Sequence, residues 1–272
     1  MTKPSVILNN GVEMPQLGLG VYAPQHNNEV QRAVEWALEA GCRLIDTASA
    51  YGNEREVAAA LQSANLPRTE VFITTKVWNS DQGYESTLRA FDQSLDKLGL
   101  DVVDLYLIHW PVKEHRLDTW RALETIYADG RARAIGVSNY YGPHLDELLA
   151  QSSIVPALNQ FEFSPYCYQP EVLAYCREKN IQPEGYAPLV RGLKKDDPRL
   201  LTLAAAYGKT TFQLLVRWSL QHGVVTIPKS VKRDRIRENF DVFDFTITDA
   251  DMALMNTFYD NTRIADDPMT YL

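Results

Sequence analysis

The stretch RLIDTASAYGNE, residues 43–54, decides how this chain is read. Arg43, Leu44 and Ile45 form a short apolar run with the character of a buried strand. The run ends on a carboxylate, Asp46, and five residues later Tyr51 stands before a glycine. A strand that leaves the core through an acid, with a phenol on the loop beyond, raises the question of what that end of the strand does.

Seven other runs resemble it. In chain order the eight are QLGLGVY, LIDTA, VFITTKVW, VVDLYLIHW, AIGVSN, ALNQFEF, PEGYAPL and VVTIPKS. They are apolar throughout rather than alternating, as strands covered on both faces must be. Helical patterns fall between them. Val30, Ala33, Val34, Ala37 and Leu38 share one helical face, with Asn27 and Asn28 as expected caps and Gly41 as the stop. Leu88, Phe91, Leu95 and Leu98 repeat the pattern up to Gly99, and Trp120, Leu123 and Ile126 do so before Gly130. Weaker helical stretches cover 143–151, 170–178 and 210–221. Ahead of all this, VILNNGVEM reads as a hairpin turning at Asn10-Gly11.

Eight strand–helix units without a composition break point to an α/β fold, a closed (β/α)8 TIM barrel with an N-terminal β-hairpin plug. The expectation is one domain over residues 1–272, with a doubly wound open sheet as the runner-up. The glycines of GLGVYA, residues 18–23, imitate a dinucleotide-binding turn. Pro24 follows, and the helix does not begin until about residue 28, so no helix N-terminus sits on the turn to hold a pyrophosphate. They read as a barrel strand and its loop.

Composition bounds the function. The 272 residues are 45% hydrophobic and 23% charged, ordinary globular values, and the formal net charge is −8. An acidic chain does not draw nucleic acid or an anionic membrane through its overall field. The three cysteines lack metal-ligand spacing, so no metal site is expected and a reducing compartment is the simplest reading. No apolar run approaches the roughly 20 residues of a membrane span. MTKPSVILNNGVEMP lacks the form of a secretory signal. The expectation is a soluble cytoplasmic protein.

In a parallel barrel all strand C-termini open on one face. There the sequence places Val21 and Tyr22, Asp46 with Tyr51, Lys76 with Trp78, and His109 with Trp110. From the later strands come Ser138 and Asn139, Gln160, Tyr186, and Lys229 with Ser230. Asp46 and Lys76 are equally the pattern of a structural ion pair, and a lone His109 that of a satisfied core histidine. Neither reading explains Tyr51. A phenol, ordinarily titrating at about 10, is a weak proton donor at neutral pH, and a nearby ammonium is expected to lower that value. A carboxylate holds the ammonium charged, and a neutral imidazole steers a carbonyl oxygen. Together the four protonate an alkoxide forming from an aldehyde or ketone. Side chains cannot supply the hydride; a nicotinamide cofactor can.

The cofactor signal lies in IPKSVKRDRIREN, residues 227–239, where Lys229, Lys232, Arg233, Arg235 and Arg237 crowd together in an acidic protein. Such a run is usually a solvated helix face. Here it follows an apolar strand and opens a helix, an arrangement that favours a phosphate, best met by Lys229, Ser230 and Arg235. The 2′-phosphate of NADP(H) is the natural candidate. Ser138, Asn139 and Gln160 offer what a carboxamide needs, Tyr186 offers a stacking face, and Tyr22, Trp78, His109 and Trp110 wall a small-molecule pocket.

These motifs in this order resemble the aldo-keto reductase superfamily, from GLGVY through LIDTASAYGNE, ITTKVW, DLYLIHWP, GVSN, NQFEFSPY and GYAPL to IPKSVKRDRIRENFDVFDF. The short build is similar to microbial members such as diketogluconate and methylglyoxal reductases. The resemblance implies Asp46, Tyr51, Lys76 and His109 as a catalytic tetrad with Tyr51 the proton donor. It also implies NADP(H) as cofactor and cofactor contacts that extend to Val21, Leu189, Val231, Glu238 and Asn239. A monomer is the family-like default. The loop after Tyr186 is short, Ala187 stands where many members have Ser, and Tyr22 where mammalian members have Trp. The short tail after Phe258 implies an open, permissive pocket. Two other functions compete: a Schiff-base lyase using Lys76, and a non-enzymatic nucleotide-binding regulator on the same fold.

Overall fold

A computed structural model describes residues 4–22 and 28–272. The expected cap Asn27, and Ala23 and Pro24 of the glycine-containing loop, lie outside the described residues. Two strands, β1 (Ser5–Ile7) and β2 (Glu13–Pro15), form the antiparallel hairpin, with Gly11 at φ +85° in its turn. The eight barrel strands follow: β3 (Leu19–Gly20), β4 (Leu44–Asp46), β5 (Phe72–Val77), β6 (Val103–Ile108), β7 (Ala132–Ser138), β8 (Leu158–Glu162), β9 (Gln182–Tyr186) and β10 (Val225–Thr226). All their ladders are parallel and each strand pairs with its neighbour in sequence.

Closure falls between the first and last of the eight. A parallel bridge joins Leu17 to Thr226, and Gly18 N–H donates to Thr226 O at 2.9 Å. This explains the glycines that imitate a dinucleotide turn. A Cβ on Gly18 would lie 2.4 Å from Leu44 Cγ, and one on Gly20 would lie 2.9 Å from Ile227 O. The chain needs bare backbone there to seat β3 against its neighbours.

The helices surround the barrel. The anticipated ones are α1 (Glu29–Glu39), α3 (Tyr84–Leu98), α4 (Arg116–Ala128), α5 (Gly142–Gln151), α6 (Pro170–Glu178), α8 (Thr211–Gln221) and α9 (Arg233–Phe240). Three were not anticipated: α2 (Glu54–Ala64), α7 (Pro198–Ala206) and α10 (Asp249–Asn256). Asn28 caps α1 only by position. It sits at φ 58° without a side-chain cap, and Glu56 Oε2 accepts from the Val30 and Gln31 N–H groups instead. Apolar helix faces pack around the outside of the barrel, where Val34, Phe91, Trp120, Leu145 and Trp218 join one buried cluster.

A second cluster fills the barrel interior. Leu44, Phe72, Leu105, Leu107, Leu158 and Val225 project inward, and Leu8 and Met14 of the hairpin seal the end beneath them. Asn9 Nδ2 donates to Pro156 O at 3.0 Å and Asn10 Nδ2 to Arg133 O at 2.9 Å, which ties the plug to the barrel floor. Inward-facing positions recur every second residue along a strand. The residues that continue this set toward the opposite end are Asp46, Lys76, His109, Gln160 and Tyr186.

Candidate active site

Asp46 ends β4, and the chain then makes a short 3-10 turn over Ser49–Tyr51. Two buried hydrogen bonds hold this corner: Thr47 Oγ1 to Asn53 Oδ1 at 2.8 Å and Asn53 Nδ2 to Val21 O at 2.8 Å. Ser49 Oγ adds a bond to Lys76 O at 2.9 Å, which links the turn to β5. Gly52, at φ 66°, ends the turn, so Tyr51 is left half-buried over the barrel mouth.

Lys76 is sealed from solvent. Its Nζ donates to Asp46 Oδ1 at 2.6 Å and to Thr47 O at 2.9 Å, and lies 5.2 Å from the Tyr51 ring centroid. Burial alone would lower the lysine's pKa, but Asp46 and Tyr51 raise it above its ordinary value, so it is held as an ammonium. The Tyr51 ring meets His109 edge-on at 5.6 Å and Tyr22 at 5.1 Å. Burial, helped by Lys76, pushes His109 well below the usual histidine range, so its imidazole is neutral.

The expected lowering of the Tyr51 pKa does not occur. Burial raises it most, Lys76 opposes through charge and a hydrogen bond, and Asp46 raises it again, leaving the phenol above its ordinary value. Desolvation of the phenolate, with Asp46 acting in the same direction, outweighs the single ammonium of Lys76. Tyr51 is therefore a protonated group at neutral pH, as a proton donor must be.

These side chains line a cavity of about 1110 Å³. The structure brings Tyr22, Asp46, Tyr51, Trp78, His109, Trp110, Ser138, Asn139, Gln160, Tyr186, Leu189, Lys229, Ser230, Val231, Arg235 and Asn239 to its wall. Lys76 reaches it through Asp46 and Tyr51. Tyr186 is fixed by donation from its hydroxyl to Asn139 Oδ1 at 2.9 Å. Asn139 Nδ2 in turn donates to His109 O at 3.0 Å and to Ser138 Oγ at 3.1 Å.

Two expected cofactor residues are placed elsewhere. Val21 is buried in the core between barrel and helices, and it is the neighbouring Gly20 and Tyr22 that face the cavity. Glu238 accepts from the Thr210 hydroxyl and is absent from the wall. Thr210 is the N-cap residue of α8.

The tail contributes to the wall as well. Although short, it folds back, and Ile264, Ala265, Asp266 and Tyr271 form part of the wall. Buried Glu162 at the end of β8 accepts Ile264 N–H at 2.7 Å and Ala265 N–H at 3.1 Å. Arg116 Nη1 donates to Tyr271 O at 2.9 Å, and the Tyr271 ring stacks on Trp110 at 5.2 Å. Arg191, 5.7 Å from the Tyr22 ring centroid, is another wall residue that went unnoticed in the sequence.

The profile described as the Aldo/keto reductase family matches residues 16–260. The chain belongs to that family. This aldo/keto reductase is 48% identical over 266 residues to the glyoxal reductase of Bacillus subtilis, covering 98% of this chain and 96% of that protein. It is 45% identical over 280 residues to the morphine 6-dehydrogenase of Pseudomonas putida, covering 97% and 94%. Among solved structures, an aldo-keto reductase of Bombyx mori in complex with NADP superposes at a TM-score of 0.92. That structure shares 36% identity and is covered over 96% of its chain and 98% of this one. The barrel fold and the family match thus agree. No helix among the described residues is long and apolar enough to cross a membrane, and no described cluster of His, Cys, Asp and Glu could hold a metal.

Proposed function

We propose that this reductase is an NADP(H)-dependent carbonyl reductase acting on a small aldehyde or ketone, with Tyr51 as general acid. The observation that carries the reading is the convergence of Tyr51, Lys76, Asp46 and neutral His109 at one end of the barrel. When bound, the cofactor supplies hydride. Tyr51 gives its phenolic proton to the carbonyl oxygen as negative charge develops there. Lys76 stabilises the phenolate left behind, and Asp46 keeps Lys76 charged and in place. His109, neutral and 5.6 Å from Tyr51 between ring centroids, orients the oxygen by a hydrogen bond.

The donor set fits the cofactor. Ser138 and Gln160 suit a carboxamide, Asn139 holds Ser138 and Tyr186 in place, and Tyr186 suits a flat ring. Among the described ion pairs Arg233 is matched by Glu39 at 2.8 Å, whereas Lys229, Lys232 and Arg235 take no part and line the cavity. These unmatched cations are what an extra phosphate requires. NADP is bound by the Bombyx mori relative, and glyoxal is the named substrate of the Bacillus subtilis one. A small dicarbonyl is therefore a sensible first substrate to assay. Lys76 as a Schiff-base amine fits less well, because a lysine held protonated is a poor nucleophile.

The decisive experiment is Tyr51→Phe. It is expected to bind NADPH as the parent does, by fluorescence titration, and to lose on the order of a thousandfold in kcat, the loss of one general acid. Turnover near the parental value would remove the assignment.

A further inference from the structure

Gln160 does more at this site than line it. Its Nε2 donates to Asp46 Oδ2 at 2.9 Å and to Glu184 Oε2 at 2.8 Å. A primary amide has two N–H donors and one carbonyl oxygen. Both donors are committed to carboxyl oxygens below the cavity, and Gln160 Oε1 is left as the atom that faces it. Turning the amide over would set that oxygen against the Asp46 carboxylate, the partner of Lys76.

The polarity of the neighbouring group is complementary. Ser138 Oγ accepts from Asn139 Nδ2 at 3.1 Å, and among the described residues its own proton has no acceptor. The wall therefore offers one acceptor, Gln160 Oε1, and one donor, Ser138 O–H. A carboxamide satisfies both in only one orientation, with its NH2 toward Gln160 and its oxygen toward Ser138.

Glu184 stands opposite Gln160 in the β8–β9 register and is wholly buried. It does not line the cavity, and among the described residues it forms no ion pair and its Oε1 has no hydrogen-bond partner. Burial and the adjacent Asp46 push it up to about 8, so at neutral pH it is largely a neutral acid whose Oε2 still accepts from Gln160. A buried carboxyl is costly to keep, and its side-chain hydrogen bond among the described residues is to the Gln160 amide.

We propose that Glu184 is a positioning residue, which from beneath the cavity fixes the Gln160 amide and so sets the orientation of the cofactor's carboxamide and the face its ring presents. This rests on the carbonyl-reductase reading above.

The test pairs a protein variant with a cofactor variant. Binding of NADPH, and of its 3-acetylpyridine analogue, which carries CH3 in place of the carboxamide NH2, is titrated by fluorescence with the parent, Glu184→Leu and Glu184→Gln. The parent is expected to prefer NADPH by about tenfold, the ratio worth one hydrogen bond. Glu184→Leu is expected to lose most of that preference by weakening NADPH alone, and Glu184→Gln, which keeps an acceptor at the same place, to restore it. Equal weakening of both cofactors, or no change in their ratio, overturns the proposal. If Glu184→Leu does not fold, Glu184→Gln and Glu184→Met are compared by the same ratio. Failure of the parent itself to bind NADPH would count against the carbonyl-reductase reading, and the two failures are thereby told apart.

Discussion

Lys76 Nζ and Asp46 Oδ1 lie 2.6 Å apart, with side-chain exposures of 0% and 3%. Two charges so enclosed must compensate one another, because neither is solvated. Asp46→Ala leaves an uncompensated ammonium in the barrel and is expected to cost about 3–5 kcal/mol in urea unfolding. The double variant Asp46→Leu/Lys76→Met removes both charges and is expected to recover most of that stability without recovering activity. Stability and turnover thus separate, and a double variant as unstable as Asp46→Ala would contradict this account of the pair.

Activity follows the state of Tyr51 and His109. Tyr51 is raised above its ordinary value of 10.0 and His109 is lowered well below 6.5, so neither changes charge between those limits in the free protein. The kcat/KM for carbonyl reduction is expected to stay level across that span, apart from a shallow inflection where Glu184 titrates, at about 8. Glu184→Gln is expected to erase the inflection. A steep loss of reduction above pH 8 that survives in Glu184→Gln would show that Tyr51 ionises early.

Glu184 also makes stability depend on pH, with a sign that follows from linkage. Its folded value of about 8 stands above its ordinary 4.5, so between those values the native state holds more protons than the unfolded chain. Stability contributed this way falls as pH rises through the window. Glu184→Gln removes the dependence, and its stability relative to the parent is expected to improve from pH 5 to pH 8.5 in urea titrations. A relative stability that is the same at both pH values would place the Glu184 titration outside the window.

Arg235 lines the cavity and takes part in none of the described ion pairs, whereas Arg233 on the same helix is matched by Glu39. Arg235→Leu is expected to weaken NADPH binding by on the order of tenfold while leaving NADH binding unchanged, since only the former carries the 2′-phosphate. Equal effects on both would move the phosphate contact elsewhere.

Much of this was legible in the residues. The eight apolar runs became the eight barrel strands because strands covered on both faces cannot alternate, and Asp46, Lys76 and His109 met because parallel strands open on one side. Helix α2 was missed because its buried face is built from Glu54, Val57, Ala58 and Ala60, which gives little apolar contrast. Glu184 was hidden inside PEGYAPL, where nothing local marks a carboxyl as turned inward. The tail's part in the wall depends on Glu162 capturing Ile264 from 102 residues away, a contact that periodicity does not register. The sign of the Tyr51 shift was misjudged because desolvation depends on how fully the neighbours close round the hydroxyl.

The hairpin plug has a consequence for traffic. With Leu8 and Met14 stoppering the lower end and apolar side chains filling the interior above them, the cavity is a blind well. Traffic to Tyr186 and Gln160 is thereby confined to the strand-end face, and the barrel offers no through-passage from below.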